Sequence, residues 1–380
     1  MRHALIALSL AACSSASPTV YVSVASTDVP AGHAALASED GVSVVQLRES
    51  ELDALAQHEH AEGRCGGFMV HATRADAMAD LHPARENPVD YTLDRGPVVA
   101  AVLPRLDKQN IAATIRDLSA FPTRYFKSAS GVAASTWIRD RWRSFSTRPD
   151  ITVELFKHAQ WDQPSVIMTI PGSDPARRDE VIVIGGHLDS ISMARAAGTA
   201  PGADDDASGI ATITEVARVL LAANYHPART LVFMGYAAEE VGLRGSQDIA
   251  AAYKKAGTKV VGALQLDMTA YQGSEKDIWL MKDFTSAPQN AFVTKLIEAY
   301  TGASYGLDAC GYACSDHASW HRIGVPVSMP FESRMRDRNK KIHTKDDTLE
   351  TSGNNADHAL KFAQLAAAYA IELGKGQLGD

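Results

Sequence analysis

The sequence predicts an α/β protein, a three-layer α/β/α sandwich around a mostly parallel sheet, preceded by a small α+β domain. Unbroken apolar runs suggest strands that are buried on both faces. These runs are VIVIGG from Val181, TLVFMGY from Thr230, ALQLDM from Ala263 and VPVSMPF from Val325. Helical periodicity separates them, over residues 208–223, 246–256, 290–300 and 356–373. Strands and helices in alternation indicate a layered α/β fold.

The segment before the sandwich has a different pattern and forms a separate predicted domain, residues 18–97. Short alternating runs, TVYVSV and VSVVQL, predict strands, and SELDALAQHEHAEG predicts a helix. The stretch HPARENPVDYTLDRGP has three prolines and neither a helical nor a strand period, which is typical of an exposed connector. Residues 98–380 form the larger predicted domain.

Residues 1–17, MRHALIALSLAACSSAS, have the layout of a secretory signal: a basic residue, a short apolar stretch and then small residues. The stretch LAAC, which ends at Cys13, also resembles a bacterial lipoprotein signal, in which the cysteine is lipidated after cleavage. Free export and export with a lipid anchor on Cys13 are the two alternatives. Either one predicts a secreted or periplasmic protein, because no later run is long enough for a transmembrane helix.

Charge and cysteine content narrow the class of protein further. The formal net charge of -8 leaves no basic surplus to neutralise phosphates, so we expect no nucleic-acid partner. We also expect a monomer. In an exported chain, Cys310 and Cys314 of CGYAC predict a disulfide, because Gly311 permits the tight turn and no second cysteine pair indicates a zinc site. Cys65 is then unpaired.

Metal-binding side chains follow the predicted strands at the ends where α/β sheets bind ligands. They are His187 and Asp189 after the first run, Glu239 and Glu240 after the second, Asp267 at the end of the third, the triple aspartate 204–206 and His343. Each alone has an ordinary interpretation as a solvated residue or a helix cap. Together, the two histidines and three of these carboxylates would suit two divalent ions that share a bridging carboxylate.

Six motifs resemble the secreted bacterial leucyl aminopeptidases, which are co-catalytic dizinc exopeptidases. They are GGHLDS, PGADDDASG, GYAAEEVGLRGS, LQLDMT, CGYACSDHASW and the His343 loop, in order and without large gaps over about residues 98–374. The resemblance implies peptide substrates and two Zn²⁺ per chain. It assigns His187 and Asp267 to one zinc, Glu240 and His343 to the other, and Asp205 to a bridge between them. Asp204 and Asp206 would then flank the bridging Asp205, as a helix cap and as groups that lie next to the direct metal ligands.

The resemblance also implies a proton carrier and an orienting carboxylate. Glu239 would be the general base that takes a proton from the attacking water and passes it to the leaving amine. Asp189 would accept a hydrogen bond from the His187 ring and fix its tautomer. The alternative for Asp189 is an ordinary surface acid.

In this family the residues at positions 312, 329, 331 and 342 lie at an apolar pocket for the first side chain of the peptide. The matching residues here are Tyr312, Met329, Phe331 and Ile342. They imply a preference for Leu-like residues, although Met329 and Phe331 could equally be ordinary core. The basic stretch ESRMRDRNKKIH departs from the family and could favour acidic residues farther along the peptide.

Other functions on the same fold are alternatives to aminopeptidase action. A carboxypeptidase or an amide deacylase would use the same metals, and the basic stretch could hold a substrate carboxylate. A non-catalytic binding ectodomain is disfavoured by the complete ligand set.

The smaller predicted domain, above all EHAEGRCGGFMVH, resembles the propeptides of secreted leucyl aminopeptidases. The resemblance implies an inhibitory segment that assists folding, an exported zymogen and an activating protease that cuts the exposed connector. In a narrower hypothesis Cys65, His58 or His60 caps a zinc. The alternative is a buried or idle thiol.

Overall fold

The computed structural model describes residues 17–379, so the predicted export signal with Cys13 lies outside the described part. We call residues 17–95 the N-terminal segment. Its strands are β1 (Thr19–Ala25), β2 (Ala35–Glu39), β3 (Val42–Arg48) and β4 (Phe68–His71), and its helices are α1 (Leu52–Ala61) and α2 (Arg74–Met78). The strands pair antiparallel in the order β2-β3-β1-β4. Both alternating runs are strands and α1 forms where a helix was predicted.

The segment ends in a connector, residues 82–95, that contains no helix or strand and is largely exposed. The remaining strands are β5 (Thr152–Phe156), β6 (Ser165–Ile170), β7 (Glu180–His187), β8 (Tyr225–His226), β9 (Thr230–Tyr236), β10 (Lys259–Gln265), β11 (Ile278–Met281), β12 (Tyr305–Asp308), β13 (Val327–Ser328), β14 (Pro330–Phe331) and β15 (Gln377–Leu378). Six of them form one mixed sheet in the order β13-β10-β7-β9-β6-β5. Strands β13, β10, β7 and β9 are parallel, whereas β6 and β5 are antiparallel additions at one edge.

Helices cover both faces of this sheet. They are α3 (Gly96–Val102), α4 (Lys108–Ser119), α5 (Ala129–Arg143), α6 (Ala207–Ala222), α7 (Arg244–Ala256), α8 (Ala287–Leu296), α9 (His317–Arg322) and α10 (Asp357–Gly374). The four predicted helices correspond to α6, α7, α8 and α10, and a π-helical turn, Ile297–Thr301, extends α8. The predicted three-layer sandwich is therefore confirmed.

The alternation of side chains along β7 explains why the apolar runs are unbroken. Ile182 and Ile184 pack into the core that contains α6 and α10, whereas Val181 and Val183 pack into the core that contains α7 and α9. Successive residues of a strand face opposite sides, so a strand covered on both sides needs apolar residues at every position.

The run VPVSMPF was predicted to be one strand. In the structure it forms two short strands that belong to different sheets. β13 joins the six-stranded sheet, whereas β14 pairs with β11 in a three-stranded sheet of order β12-β11-β14. Pro326 and Pro330 lack the N–H that a continuous ladder requires, and the chain changes partner between them.

The N-terminal segment packs directly on the larger part of the chain. Val22 and Phe68 of the segment share one apolar core with Phe126, Trp161 and Val241. The predicted Cys310–Cys314 disulfide is present. Within residues 17–379, no helix combines the length and the apolar character that crossing a bilayer requires.

Candidate metal centre

The five predicted metal ligands converge at one edge of the six-stranded sheet. His187 is the last residue of β7, Glu240 follows β9 and Asp267 follows β10. Parallel neighbours thus deliver three side chains to the same end of the sheet. Asp205 precedes α6, and His343 enters from the loop before α10. All five are at most 5% exposed, so the cluster is closed to solvent.

Asp205 lies between the two histidines. Its Oδ1 is 2.9 Å from Nε2 of His187, and its Oδ2 is 3.1 Å from Nε2 of His343. One carboxylate therefore presents one oxygen to each of two separate positions.

The other two predicted ligands lie one at each of these positions. Oδ1 of Asp267 is 3.6 Å from Nε2 of His187, whereas Oε2 of Glu240 is 3.1 Å from Nε2 of His343. The cluster thus has two halves that share Asp205.

Several buried oxygens here have no hydrogen-bond partner among residues 17–379. They are both carboxylate oxygens of Glu239, both of Glu240 and Oδ1 of Asp267. Glu240 and Asp267 each lie near a histidine, but these oxygens have no hydrogen bond, and Glu239 has no ion pair with a histidine of the described residues either. Buried carboxylate oxygens without hydrogen bonds are unfavourable, and a bound cation removes that cost. Carboxylate oxygens with imidazole nitrogens are a ligand set that zinc accepts. The residues present therefore fit zinc.

The histidine pKa values report the same excess of negative charge. Burial opposes protonation of His343, but Glu240 and Asp205 prevail and raise its pKa to about 10. Burial opposes protonation of His187 as well, yet Asp267 and Glu239 raise its pKa well above the usual range. A buried imidazole holds its proton so firmly only in a strongly negative environment, which also attracts metal cations.

Left-handed backbone accumulates around the cluster. The φ angles of Ala238, Leu243, Met268 and His343 are 57°, 54°, 57° and 59°. Residues with a Cβ adopt this region infrequently, and such conformations are concentrated at functional sites. At His343 the turn directs the imidazole into the cluster.

Asp206, the third residue of the triple aspartate, accepts hydrogen bonds from backbone N–H groups. Its Oδ1 accepts the N–H groups of Gly209 at 2.8 Å and Met268 at 3.1 Å, and its Oδ2 accepts the N–H of His187 at 2.9 Å. It is the N-cap of α6. Asp206 lies near enough to His187 and Asp267 to form a metal-binding group. Because both of its oxygens already accept backbone N–H groups, we assign it to the cap, as predicted.

Asp204, the first of the three, belongs to a polar network that the sequence analysis missed. It accepts hydrogen bonds from the N–H of Ala270 and from the side chain of Asn339, both at 3.1 Å. Asn339 also donates to Asp347, which in turn accepts the N–H of Asp205 at 3.1 Å. The stretch KDD beside His343 was the available signal for Asp347.

Asp189 is 1% exposed, so the alternative of a surface acid is wrong. Nδ1 of His187 lies 3.1 Å from the backbone oxygen of Asp189 and 3.6 Å from its carboxylate. The backbone carbonyl, rather than the predicted carboxylate, is thus the nearer acceptor for the ring. The carboxylate accepts the N–H groups of Glu239 at 3.0 Å and Glu240 at 3.2 Å, which fixes the turn that carries both glutamates.

The four residues predicted to line a substrate pocket are neighbours. Tyr312, Met329, Phe331 and Ile342 pack in one buried apolar cluster, and Cys65 of the N-terminal segment packs with them. The segment therefore occupies this surface.

Two of the three N-terminal candidates reach the ligands. Sγ of Cys65 lies 3.2 Å from Oδ2 of Asp205 and 3.5 Å from Nε2 of His343. Nε2 of His60 lies 3.3 Å from Oε2 of Glu240. His58 is exposed and is not part of the cluster.

The basic stretch is partly engaged within the chain. Arg334 pairs with Glu275 and lies over the ring of Trp279, with 4.5 Å between the guanidinium carbon and the ring centroid. Arg338 donates to the backbone oxygen of Gly63 in the N-terminal segment. These two side chains already have partners in the chain.

A sequence profile described as Peptidase family M28 matches residues 165–369. The chain belongs to this family. Leucine aminopeptidase 1 of Coccidioides posadasii is 38% identical over 296 residues, covering 74% of each chain. Leucine aminopeptidase 1 of Aspergillus fumigatus is 38% identical over 291 residues, covering 72% of this chain and 73% of the relative.

Two solved structures resemble this M28 chain over nearly its whole length. The Legionella pneumophila LapA aminopeptidase superposes with a TM-score of 0.81 at 27% identity, covering 96% of this chain and 100% of that one. LapB from the same organism gives 0.82 at 28% identity, covering 94% and 99%. The M28 chain is thus a metallo-aminopeptidase, a peptide hydrolase, and the alternative of a non-catalytic ectodomain is wrong.

Proposed function

We propose that this M28 aminopeptidase uses two zinc ions, removes apolar N-terminal residues from peptides and is exported as a latent precursor. The observation that carries the proposal is the carboxylate of Asp205, whose two oxygens face two different histidines. A single-metal site needs no such shared ligand.

The residues that would hold the metals follow from the two halves of the cluster. His187 and Asp267 would hold one zinc, Glu240 and His343 the other, with Asp205 shared. When bound, two such ions polarise the scissile carbonyl and acidify the attacking water. Three carboxylates against two divalent cations leave a net positive charge, which suits a site that must stabilise a developing oxyanion.

Glu239 would move the proton. It lies in the same turn as Glu240, and neither of its oxygens has a hydrogen-bond partner among the described residues. Asp189 holds the backbone of that turn. From this position Glu239 would take a proton from the water as it attacks the peptide carbonyl and deliver it to the leaving amine. A positioned general base contributes roughly 10²- to 10⁴-fold to the rate.

The apolar cluster beside the metals supports a preference for Leu-like first residues. Tyr312, Met329, Phe331 and Ile342 would contact that side chain once the N-terminal segment has left. Burial of a leucine side chain is worth about 1.5–3 kcal/mol, enough to favour it clearly over glycine.

Latency is supported by what covers the cluster. Cys65 lies against Asp205, and a Cβ built on Gly66 would lie 2.9 Å from Oε1 of Glu239. A peptide cannot reach the carboxylates while this segment is in place. The exposed connector, residues 82–95, is the kind of chain that proteases cut.

Export is proposed from residues 1–17 alone. Mass spectrometry of the N-terminus of the exported protein separates the two alternatives. A diacylated Cys13 indicates a lipid anchor, and an unmodified N-terminus near Pro18 indicates free secretion.

The deciding experiment compares the uncut chain with a form cut in the connector and purified away from the released segment. We expect two zinc ions per chain in the cut form and hydrolysis of leucine p-nitroanilide after cutting only. The N-acetylated substrate should remain intact. Equal activity before and after cutting would contradict latency, hydrolysis of the blocked substrate would contradict aminopeptidase action, and one zinc per chain would contradict the shared site.

A further inference from the structure

Two side chains of the N-terminal segment enter the same half of the metal cluster. Sγ of Cys65 is 3.5 Å from Nε2 of His343, and Nε2 of His60 is 3.3 Å from Oε2 of Glu240. The rings of His60 and His343 are 4.3 Å apart between centroids. His60, Glu240 and His343 form one group with metal-binding geometry, and Cys65, Asp205 and His343 form a second that overlaps it. Both groups include His343, so they surround one position.

His60 is not a packing residue that happens to lie nearby. Its side chain is 2% exposed, and its Nε2 has no hydrogen-bond partner among residues 17–379. A buried ring nitrogen without a partner is costly unless another species satisfies it. Since the ring is aimed at the carboxylate of Glu240, a cation between the two groups would satisfy both.

The backbone conformation of the loop after α1 allows the close approach of these side chains to the metal cluster. Helix α1 ends at Ala61, and the loop that follows has left-handed glycines at Gly63, Gly66 and Gly67, with φ of 70°, 55° and 76°. A Cβ on Gly66 would lie 2.7 Å from the side chain of Leu243. Only glycine combines this conformation with so close an approach.

Polar contacts fix the same loop from both sides. Arg64 pairs with Asp28 and, at 3.0 Å, with Glu59, which anchors the loop to its own segment. The backbone oxygen of Gly63 accepts a hydrogen bond from Arg338, which anchors it to the larger part of the chain. The loop is thus held to both parts of the chain immediately before Cys65.

We propose that, in the uncut chain, His60 and Cys65 are themselves ligands of the zinc held by Glu240 and His343. This inference rests on the dizinc function proposed above. Cys65 would bind as the thiolate and release its proton to solvent. Imidazole and thiolate are preferred zinc ligands, and zinc sites in which protein groups fill every position are structural rather than catalytic. The uncut chain therefore carries a closed zinc shell, and removal of the segment opens it to water and substrate.

The competing explanation is that Cys65 is only a small apolar residue, because it packs against Tyr312 and Met329. Zinc-edge X-ray absorption on the uncut wild-type protein distinguishes the two without any substitution. We expect a Zn–S distance of about 2.3 Å, with close to half a sulfur per zinc because one ion of two is bound to Cys65. This signal should vanish in the cut form after the segment has been removed.

Variants then test the two side chains separately. Cys65→Ser should abolish the Zn–S signal, and His60→Gln should lower the number of nitrogen neighbours. Because each substitution removes a metal ligand and so weakens the hold of the segment on the cluster, the segment should leave the cluster more often, and both should raise the activity of the uncut chain at least tenfold. His58→Gln is the matched control, because His58 lies on the same helix but is exposed, and this variant should stay latent with the Zn–S signal intact.

The outcomes separate this inference from the function on which it rests. Two zinc ions per chain and an active cut form, without a Zn–S signal in the uncut form, would overturn the ligand role and leave the proposed function standing. A cut form that binds no zinc and hydrolyses nothing would overturn both.

Discussion

Glu239 and Glu240 are adjacent, equally buried and held by the same aspartate, yet their surroundings differ. Oε2 of Glu240 is 3.1 Å from Nε2 of His343. No ion pair of Glu239 with a histidine is found within the described residues. Position relative to the two histidines would therefore separate the proposed ligand, Glu240, from the proposed proton carrier, Glu239, although the two side chains are chemically the same.

Glu239→Gln should keep both zinc ions and the native melting temperature, because the amide fills the same space and removes no ligand. We expect kcat of the cut enzyme on leucine p-nitroanilide to fall roughly 10²- to 10⁴-fold with little change in KM. Kinetics and metal analysis on one preparation check this. A variant that retains most of its kcat would remove Glu239 from the proton transfer.

Asp205→Asn should lose metal, because one side chain serves both halves of the cluster. We expect fewer than two zinc ions per chain after dialysis, measured by elemental analysis. Asp346→Asn is the matched control, since Asp346 is an exposed aspartate of the His343 loop, and it should keep two. Full zinc content in Asp205→Asn would contradict the shared role.

At the scale of elements, the strand ends could be predicted and the approach of the N-terminal loop could not. Apolar runs mark buried strands, and parallel strands necessarily end together, so His187, Glu240 and Asp267 could be brought to one edge from sequence alone. The edge strands β5 and β6, the division of VPVSMPF and the contacts of His60 with Glu240 depend on pairing between distant segments. Local periodicity does not encode such pairing.

Gly66→Ala tests how closely the loop after α1 must approach the larger part of the chain. The Cβ of the new alanine would lie 2.7 Å from the side chain of Leu243 and 2.9 Å from that of Glu239. We therefore expect weaker binding of the N-terminal segment to the larger part of the chain and a several-fold rise in the activity of the uncut chain. Gly32→Ala is the control. Gly32 has a φ of 85°, also in the left-handed region, but nothing lies within 4 Å of its added Cβ. Equal effects of both changes would indicate backbone strain alone.

For the whole molecule, acid stability should depend on His358 of α10. Burial lowers its pKa to about 4, and its Nε2 donates to the backbone oxygen of Asp277 at 2.6 Å. The unfolded chain, with a histidine pKa of about 6.5, takes up the proton first. The contribution is therefore complete above pH 6.5 and is lost as the pH falls to 4, by about 3 kcal/mol in all.

Urea unfolding of the parent and of His358→Gln at several pH values measures this contribution. We expect the difference in unfolding free energy between them to shrink from pH 7 to pH 4. His82→Gln, at an exposed histidine of the connector, should leave the pH dependence unchanged. A difference between parent and His358→Gln that does not vary with pH would contradict the assignment.

The connector also determines how strongly the N-terminal segment competes with substrate for the metal cluster. While the connector is intact, the N-terminal segment is tethered to its binding surface, so its effective concentration there does not depend on the bulk concentration of the protein. Once the connector has been cut, the segment competes for its site at its bulk concentration only. Its shared apolar core with Phe126 and Trp161 should slow its departure. Activation should therefore depend on dilution, and a concentrated sample should stay partly inhibited after complete cleavage.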